Sequence, residues 1–116
     1  MSIVESKSAP GVSFTVAKMS FGRRVELMRR IRELARRVEF LEAGREAGDQ
    51  MDAALLRSEI DRLYVTWGLR NVAGLKLDGA AATVETLVDA GPETLFREAL
   101  AAVQAETGLS EAERKN

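Results

Sequence analysis

The residues of this chain with the most conspicuous chemistry are arginines. Seven of them lie between Arg23 and Arg37, within the stretch FGRRVELMRRIRELARRVEFLEAG that begins at Phe21. Guanidinium groups at this density bind either the phosphates of a nucleic acid or the carboxylates of a protein partner. Four glutamates interrupt the stretch, the net charge of the chain is −1, and aromatic residues are few. The wide basic field and stacking rings of nucleic-acid surfaces are therefore missing, so we expect no nucleic-acid partner and rank a helix-turn-helix DNA binder last.

Groups that could carry out catalysis are scarce. The chain contains neither histidine nor cysteine, so the usual general base, the thiol nucleophile and the thiolate zinc site are excluded. Carboxylate pairs such as Glu39 with Glu42 remain, but any highly charged helix supplies them. Neither glycine spacing that cradles a phosphate occurs, and the aspartate ladder of a calcium loop is absent. The sequence therefore predicts a protein that is not an enzyme and that uses no cofactor or metal.

The arginine-rich stretch has the period of an amphipathic helix. Ser20 is a suitable N-cap, and Gly44 follows the last periodic residue. The apolar residues repeat at intervals of four and three: Leu27, Ile31, Leu34, Val38 and Leu41. They fall within about 80° of arc, which predicts one narrow apolar seam along the helix.

The arginines divide into two groups about this seam. Arg30 and Arg37 border it, so their stems are expected to cover the edge of the core. Each has a glutamate four residues earlier, Glu26 or Glu33, in the favourable orientation for an ion pair. The opposite face carries the residues that we predict to bind a partner: Val25, Arg29, Arg32, Arg36 and Phe40. Arginine with exposed apolar anchors is typical of protein interfaces, although a solvated face without function remains the alternative.

A second helix is predicted from Met51 to Trp67, with Gly68 ending it. Its seam consists of Leu56, Ile60, Leu63 and Trp67, with Leu55 and Tyr64 beside them. Tyr64 and Trp67 are expected in the core. Because the seams match and the linker is short, we predict an antiparallel helical hairpin.

The remaining segments predict a third long helix and a small two-stranded β element in a mainly α fold. The third helix opens at Pro92, after a short helix capped by Thr83, and ends at Gly108. The alternating segment 12–16 predicts a strand, and Leu75–Leu77, before an Asp-Gly turn, is expected to pair with it. Ser110 and Glu113 form a capping box for a last turn.

The length of 116 residues predicts a single helical domain, in which residues 1–11 are small and polar and form a flexible arm. No stretch is apolar enough to span a membrane and no secretory signal is recognisable, so we expect a cytoplasmic location. Residues 1–76 hold 14 Lys/Arg against 10 Asp/Glu, whereas residues 77–116 hold 3 against 8. A basic part followed by an acidic part suits contact between copies, and we expect a homo-oligomer.

The second half of the chain resembles the tail assembly chaperones of long-tailed bacteriophages over about residues 60–116. The resemblance consists of an order of motifs: Trp67 at the end of a helix, the turn GLKLDG (74–79), the short helix TVETLVDA (83–90) and the helix opening Pro92-Glu93 before Leu95.

This resemblance implies a small helical protein that is made in the infected host cell. Members of the family bind the tape measure protein and keep it soluble while tail tube subunits are recruited. The tape measure protein, and with it the tail tube protein, are therefore the expected partners. A small helical regulator or inhibitor from a mobile element, which binds a host protein, is the alternative that composition does not separate from a chaperone.

Overall fold

A computed structural model describes residues 1–108 of the chain. The elements of this part are β1 (Ser2–Glu5), β2 (Ser13–Val16), α1 (Phe21–Glu42), α2 (Ala47–Gly68), β3 (Leu69–Ala73), β4 (Lys76–Leu77), β5 (Ala80–Ala81), α3 (Val84–Ala90) and α4 (Glu93–Thr107). The predicted fold class is confirmed, because the protein is mostly α with a small antiparallel β element. In residues 1–108, no helix is long and apolar enough to cross a membrane. The capping box expected at Ser110 and Glu113 lies outside the described residues.

The helices α1 and α2 form the expected hairpin. Ser20 caps α1, because its Oγ accepts a hydrogen bond from the N–H of Arg23 at 3.2 Å. At the linker end of the hairpin, the guanidinium of Arg57 forms an ion pair with Glu42 at 2.5 Å. At the other end, the guanidinium of Arg23 lies 4.1 Å from the centroid of the Trp67 ring. The start of α1 therefore meets the end of α2, and the two helices are antiparallel.

The core lies where the open end of this hairpin meets the sheet and the last two helices. The largest fully buried side chains are Tyr64, Phe14, Leu27, Ile31, Leu87, Val16, Val65 and Val103. They come from α1, α2, α3, α4 and β2. The helix α1 buries only Leu27, Ile31 and Val38, and it packs chiefly against α2. One face of α1 therefore packs against α2, and most of its remaining surface is exposed to solvent.

The strand β2 pairs differently from the sequence prediction. It is the central strand of a three-stranded antiparallel sheet of order β1-β2-β3, whereas Lys76–Leu77 pairs with Ala80–Ala81. The predicted pairing of β2 with Leu75–Leu77 is therefore wrong. Asp78 and Gly79 have φ angles of 51° and 81°, as the type I′ turn of a two-residue hairpin requires. This turn closes a local hairpin at a much smaller entropic cost than pairing with the distant β2.

The prediction of a flexible arm at residues 1–11 is also wrong, because Ser2–Glu5 form the strand β1. The turn that follows β1 is tied to α4 through one carboxylate. Glu98 accepts hydrogen bonds from the hydroxyls of Ser6 at 2.5 Å and Ser8 at 3.0 Å. The backbone N–H groups of Lys7 and Ser8 donate to the same carboxylate at 3.3 Å each. The polar residues Ser6, Lys7 and Ser8, which the sequence places in a flexible arm, therefore donate hydrogen bonds to Glu98.

Close approach of α2 to α4 depends on the absence of a side chain at Gly68. A Cβ at this position would lie 2.4 Å from Cγ1 of Val103, which is fully buried. By contrast, a Cβ at Gly48, in the first turn of the same helix, would meet nothing within 4 Å.

We expect Gly68→Ala to lower the free energy of unfolding by about 1–3 kcal/mol, because Val103 must move to admit the new methyl group. Gly48→Ala is the matched control, and we expect it to be neutral or to stabilise by up to about 1 kcal/mol, because alanine favours the helix. Chemical denaturation of both variants measures the difference. Equal stability of the two variants would contradict the packing described for Gly68.

The hydrogen bonds at Glu98 make the docking of β1 depend on pH. The Ser6 hydroxyl, more than the desolvation that opposes it, holds the pKa of Glu98 below its ordinary value of 4.5, with Ser8 and Lys7 contributing in the same direction. A lowered pKa means that the folded state favours the ionised carboxylate. The stabilisation is thus fully present above pH 4.5 and is lost as the pH falls through the lowered pKa.

Hydrogen exchange of the β1 amides should therefore accelerate in acid in the wild type, relative to the amides of α2. In Glu98→Gln we expect fast exchange of these amides already at neutral pH, with little further change in acid. Glu33→Gln, which removes a carboxylate of α1, is the control and should leave the exchange of β1 unchanged. Slow exchange in Glu98→Gln at neutral pH would show that other contacts hold the strand.

Candidate partner-binding site

The five residues predicted to bind a partner all lie on α1, but their exposure differs. The exposed fraction is 80% for Phe40 and 38% for Val25. Arg36 is exposed and Arg32 is half-buried. The side chain of Arg29 is 65% exposed and forms an ion pair with Glu26 at 3.1 Å. The outward direction of the predicted stripe is therefore correct for most of its members.

Two of the five residues, Arg36 and Phe40, lie together at one cavity. Arg36 and Phe40 border an open groove of about 630 Å³ between α1 and α2. The groove is lined by Arg36, Arg37, Phe40, Leu41, Asp52, Leu55 and Leu56. Val25, Arg29 and Arg32 do not line it, because they lie nearer the start of α1. The predicted site is thus divided: Arg36 and Phe40 lie at the linker end of the hairpin, and the other three residues lie nearer the start of α1.

An exposed apolar residue of α2, Leu55, completes this surface and is not part of the site predicted from the sequence. Leu55 is 61% exposed. The sequence pattern places Leu55 beside the seam of the second helix. At 100° per residue, however, it lies about 140° from the seam residue Ile60 around the helix axis. This angle was the available signal that Leu55 faces away from the core.

The groove is open because the other helices contact α2 farther along the chain. Arg97 of α4 forms an ion pair with Asp61 of α2 at 2.8 Å. Arg62 of α2 forms one with Asp89 at the end of α3 at 3.2 Å. Both contacts lie past the groove residues of α2. Within residues 1–108, the first half of α2 therefore packs chiefly against α1.

The charges around the groove come from both helices. Arg36 and Arg37 lie on the α1 side, and Asp52 lies on the α2 side. The expected ion pair between Glu26 and Arg30 is present at 3.4 Å. The expected pair between Glu33 and Arg37 is not formed within residues 1–108. Arg37 lines the groove instead, so its guanidinium is placed where it could contact a bound partner.

At the opposite end of the hairpin, two arginines are engaged by Trp67. Their guanidinium carbons lie 4.1 Å (Arg23) and 5.2 Å (Arg30) from the ring centroid, and Arg23 also donates a hydrogen bond to the carbonyl of Trp67 at 3.4 Å. Trp67 is half-buried, whereas Tyr64 is fully buried. The prediction of a core position is thus confirmed for Tyr64, while Trp67 lies at the edge of the core. Cation–π contacts of this kind stabilise the fold by about 0.5–1 kcal/mol.

No protein-family model, no curated protein and no solved structure matches this chain.

We expect the groove residues to be dispensable for folding. Phe40→Ala and Leu55→Ala should each change the free energy of unfolding by less than about 0.5 kcal/mol, because both side chains are largely exposed. Phe14→Ala, which removes a fully buried ring, should cost about 3–5 kcal/mol. Thermal unfolding followed by circular dichroism checks these values. A large loss of stability in Phe40→Ala would mean that the ring belongs to the core.

Proposed function

We propose that this protein is a non-enzymatic tail assembly chaperone of a long-tailed bacteriophage. It binds the tape measure protein in the infected host cell and keeps it soluble while tail tube subunits are recruited. The observation that carries the proposal is the open groove between α1 and α2, beside which Phe40 and Leu55 are 80% and 61% exposed. Large apolar side chains exposed together mark a surface that binds another protein.

The shape of the groove favours a helix as its ligand. Half-buried Leu41 and Leu56 form its floor, and exposed Phe40 and Leu55 flank it. A third amphipathic helix laid between α1 and α2 would place residues at i, i+3 and i+4 against these four side chains. An extended segment would find no backbone partners there, because both helices satisfy their own N–H and C=O groups.

The charges at the groove select among helical ligands. Arg36 and Arg37 on the α1 side can each bind a carboxylate in a bidentate manner. Asp52 on the α2 side suits a lysine or arginine of the ligand. The preferred helix therefore carries acidic residues on the side that faces α1. The motif order in residues 60–116 supports the further step to the tape measure protein, a long helical chain that must stay soluble before the tube covers it.

The test is co-expression of this chain with the tape measure protein of the same phage, followed by affinity capture and determination of the mass of the eluted complex. We expect a soluble complex. The double variant Phe40→Ser/Leu55→Ser should weaken binding at least about tenfold, because it removes two apolar anchors.

Phe21→Ser is the matched control for this variant. Phe21 is 83% exposed on the same helix but does not line the groove. It should therefore leave binding unchanged.

Charge variants locate the ligand along α1. Arg36→Glu should weaken binding, whereas Arg29→Glu should have little effect if the groove alone binds the ligand. An equal loss in the two variants would extend the surface to the whole face predicted from the sequence, including Val25 and Arg32. A tape measure protein that remains insoluble while this chain elutes alone would contradict the proposal. It would favour a regulator that binds a host protein.

A further inference from the structure

Within residues 1–108, the strand β1 is an unprotected edge of the three-stranded sheet. Its residues Ile3 and Val4 are 72% and 39% exposed, and Glu5 is its one charged residue. Sheet edges in monomeric proteins are usually shielded by charges, proline or a covering element. The other edge meets this requirement, because α3 packs against β3.

The backbone of β1 offers hydrogen bonds to a further strand. The N–H of Ser6 donates to the carbonyl of Val12 at 2.8 Å, in register with the pairing of Val4 with Phe14. Hydrogen-bonded and non-hydrogen-bonded pairs alternate along an antiparallel ladder. The groups of Ser2, Val4 and Ser6 are therefore directed to β2. The N–H and C=O groups of Ile3 and Glu5 point to the free edge.

We propose that β1 pairs with β1 of a second copy about a two-fold axis, with Val4 opposite Val4. In this antiparallel register, Ile3 of each copy lies opposite Glu5 of the other. The two strands then exchange four backbone hydrogen bonds. The sheets of the two copies join into one sheet of six strands.

This register continues an apolar row that ends at the edge of one copy. Val4, Phe14 and Val72 are cross-strand neighbours, and their exposed fractions are 39%, 0% and 5%. Val4 of the second copy would cover the half-open end of the row. A two-fold axis at Ile3 would use the outward groups of one residue only. An axis at Glu5 would place two carboxylates opposite each other.

The surface beside β1 adds charge complementarity to the backbone pairing. A groove of about 380 Å³ separates β1 from α4, and Lys7 and Glu106 both border it. The hydroxyl of Ser2 donates to Glu106 at 2.9 Å. Because Ser2 would lie opposite Ser6 of the second copy, the adjacent Lys7 of that copy would approach Glu106. The two-fold axis produces this ion pair twice.

A short strand pair buries less than the roughly 800 Å² per partner of a typical stable interface, so the dimer needs a further contact. Three of the α4 residues that line the groove are small: Ala101, Ala102 and Ala105. These small side chains allow the α4 helices of the two copies to approach each other. This interface does not involve the groove between α1 and α2, so the inference stands independently of the proposed function.

Cysteine cross-linking tests the register, since the natural chain contains no cysteine. In a non-hydrogen-bonded antiparallel pair the Cα atoms are about 4.5 Å apart, within the range of a disulfide. Val4→Cys should therefore form disulfide-linked dimers on oxidation with diamide. Ile3→Cys is the matched control, because the two Cα atoms at this position would be about 8 Å apart in the proposed register. Efficient cross-linking of Ile3→Cys, or none of Val4→Cys, would overturn the register.

Sedimentation equilibrium tests the dimer itself. Ile3→Pro removes an outward N–H without disturbing the ladder to β2, and it should weaken dimerisation at least about tenfold. Ile3→Thr keeps this N–H and should retain the dimer. Lys7→Glu should weaken the dimer, and addition of Glu106→Lys should restore it. A wild-type chain that is monomeric up to about 1 mM, or a dimer unaffected by Ile3→Pro, would overturn the proposal.

Discussion

The packing of α2 on both of its sides is the constraint on which the rest of the structure depends. One side meets the seam of α1, and the other meets α3 and α4. Gly68 permits the close approach to Val103, and Tyr64 fills the centre of the core with no exposed surface. Among the described elements, α1 has no second neighbour of comparable extent. The seam that α1 shares with α2 therefore fixes the position of α1 and determines which of its residues face outward.

The exposure of the groove is a direct consequence of this arrangement. The first half of α2 extends beyond the contacts with α3 and α4. The linker end of the hairpin therefore consists of α1 and α2, whereas at the other end, the base, α3, α4 and the sheet also pack against the hairpin. Apolar residues that would be covered in the base stay in water at this end. Burial of an exposed phenylalanine or leucine side chain is favourable by about 1.5–3 kcal/mol. A partner that covered Phe40 and Leu55 would therefore gain binding free energy from both side chains.

Features set by local sequence could be predicted, and features set by distant contacts could not. The cap at Ser20, the cap at Thr83, the Asp-Gly turn and the seams of the two helices depend on neighbouring residues, and each is present. The turn after β1 is tied to a carboxylate of α4, and the sequence around Ser6 and Ser8 gives no sign of Glu98, which is distant along the chain. Likewise, β3 begins directly after α2 ends at Gly68, so its position beside β2 depends on how α2 packs in the fold. Part of the site was predicted, because helical periodicity places Arg36 and Phe40 outward. The other half of the site consists of α2 residues, including Leu55 and Leu56. The periodicity within α1 gives no information about which residues of α2 lie beside it.

The two proposed surfaces lie at opposite ends of the fold, and this separation has a consequence for binding. The groove is at the linker end of the hairpin, whereas β1 is in the sheet at the base. Pairing through β1 would therefore leave both grooves of a dimer open. A long helical chain that presents apolar stripes repeatedly could engage both grooves, and the second contact would form at the high effective concentration set by the first. Each groove then needs only modest affinity, which is compatible with the proposed role of a chaperone that later releases its partner.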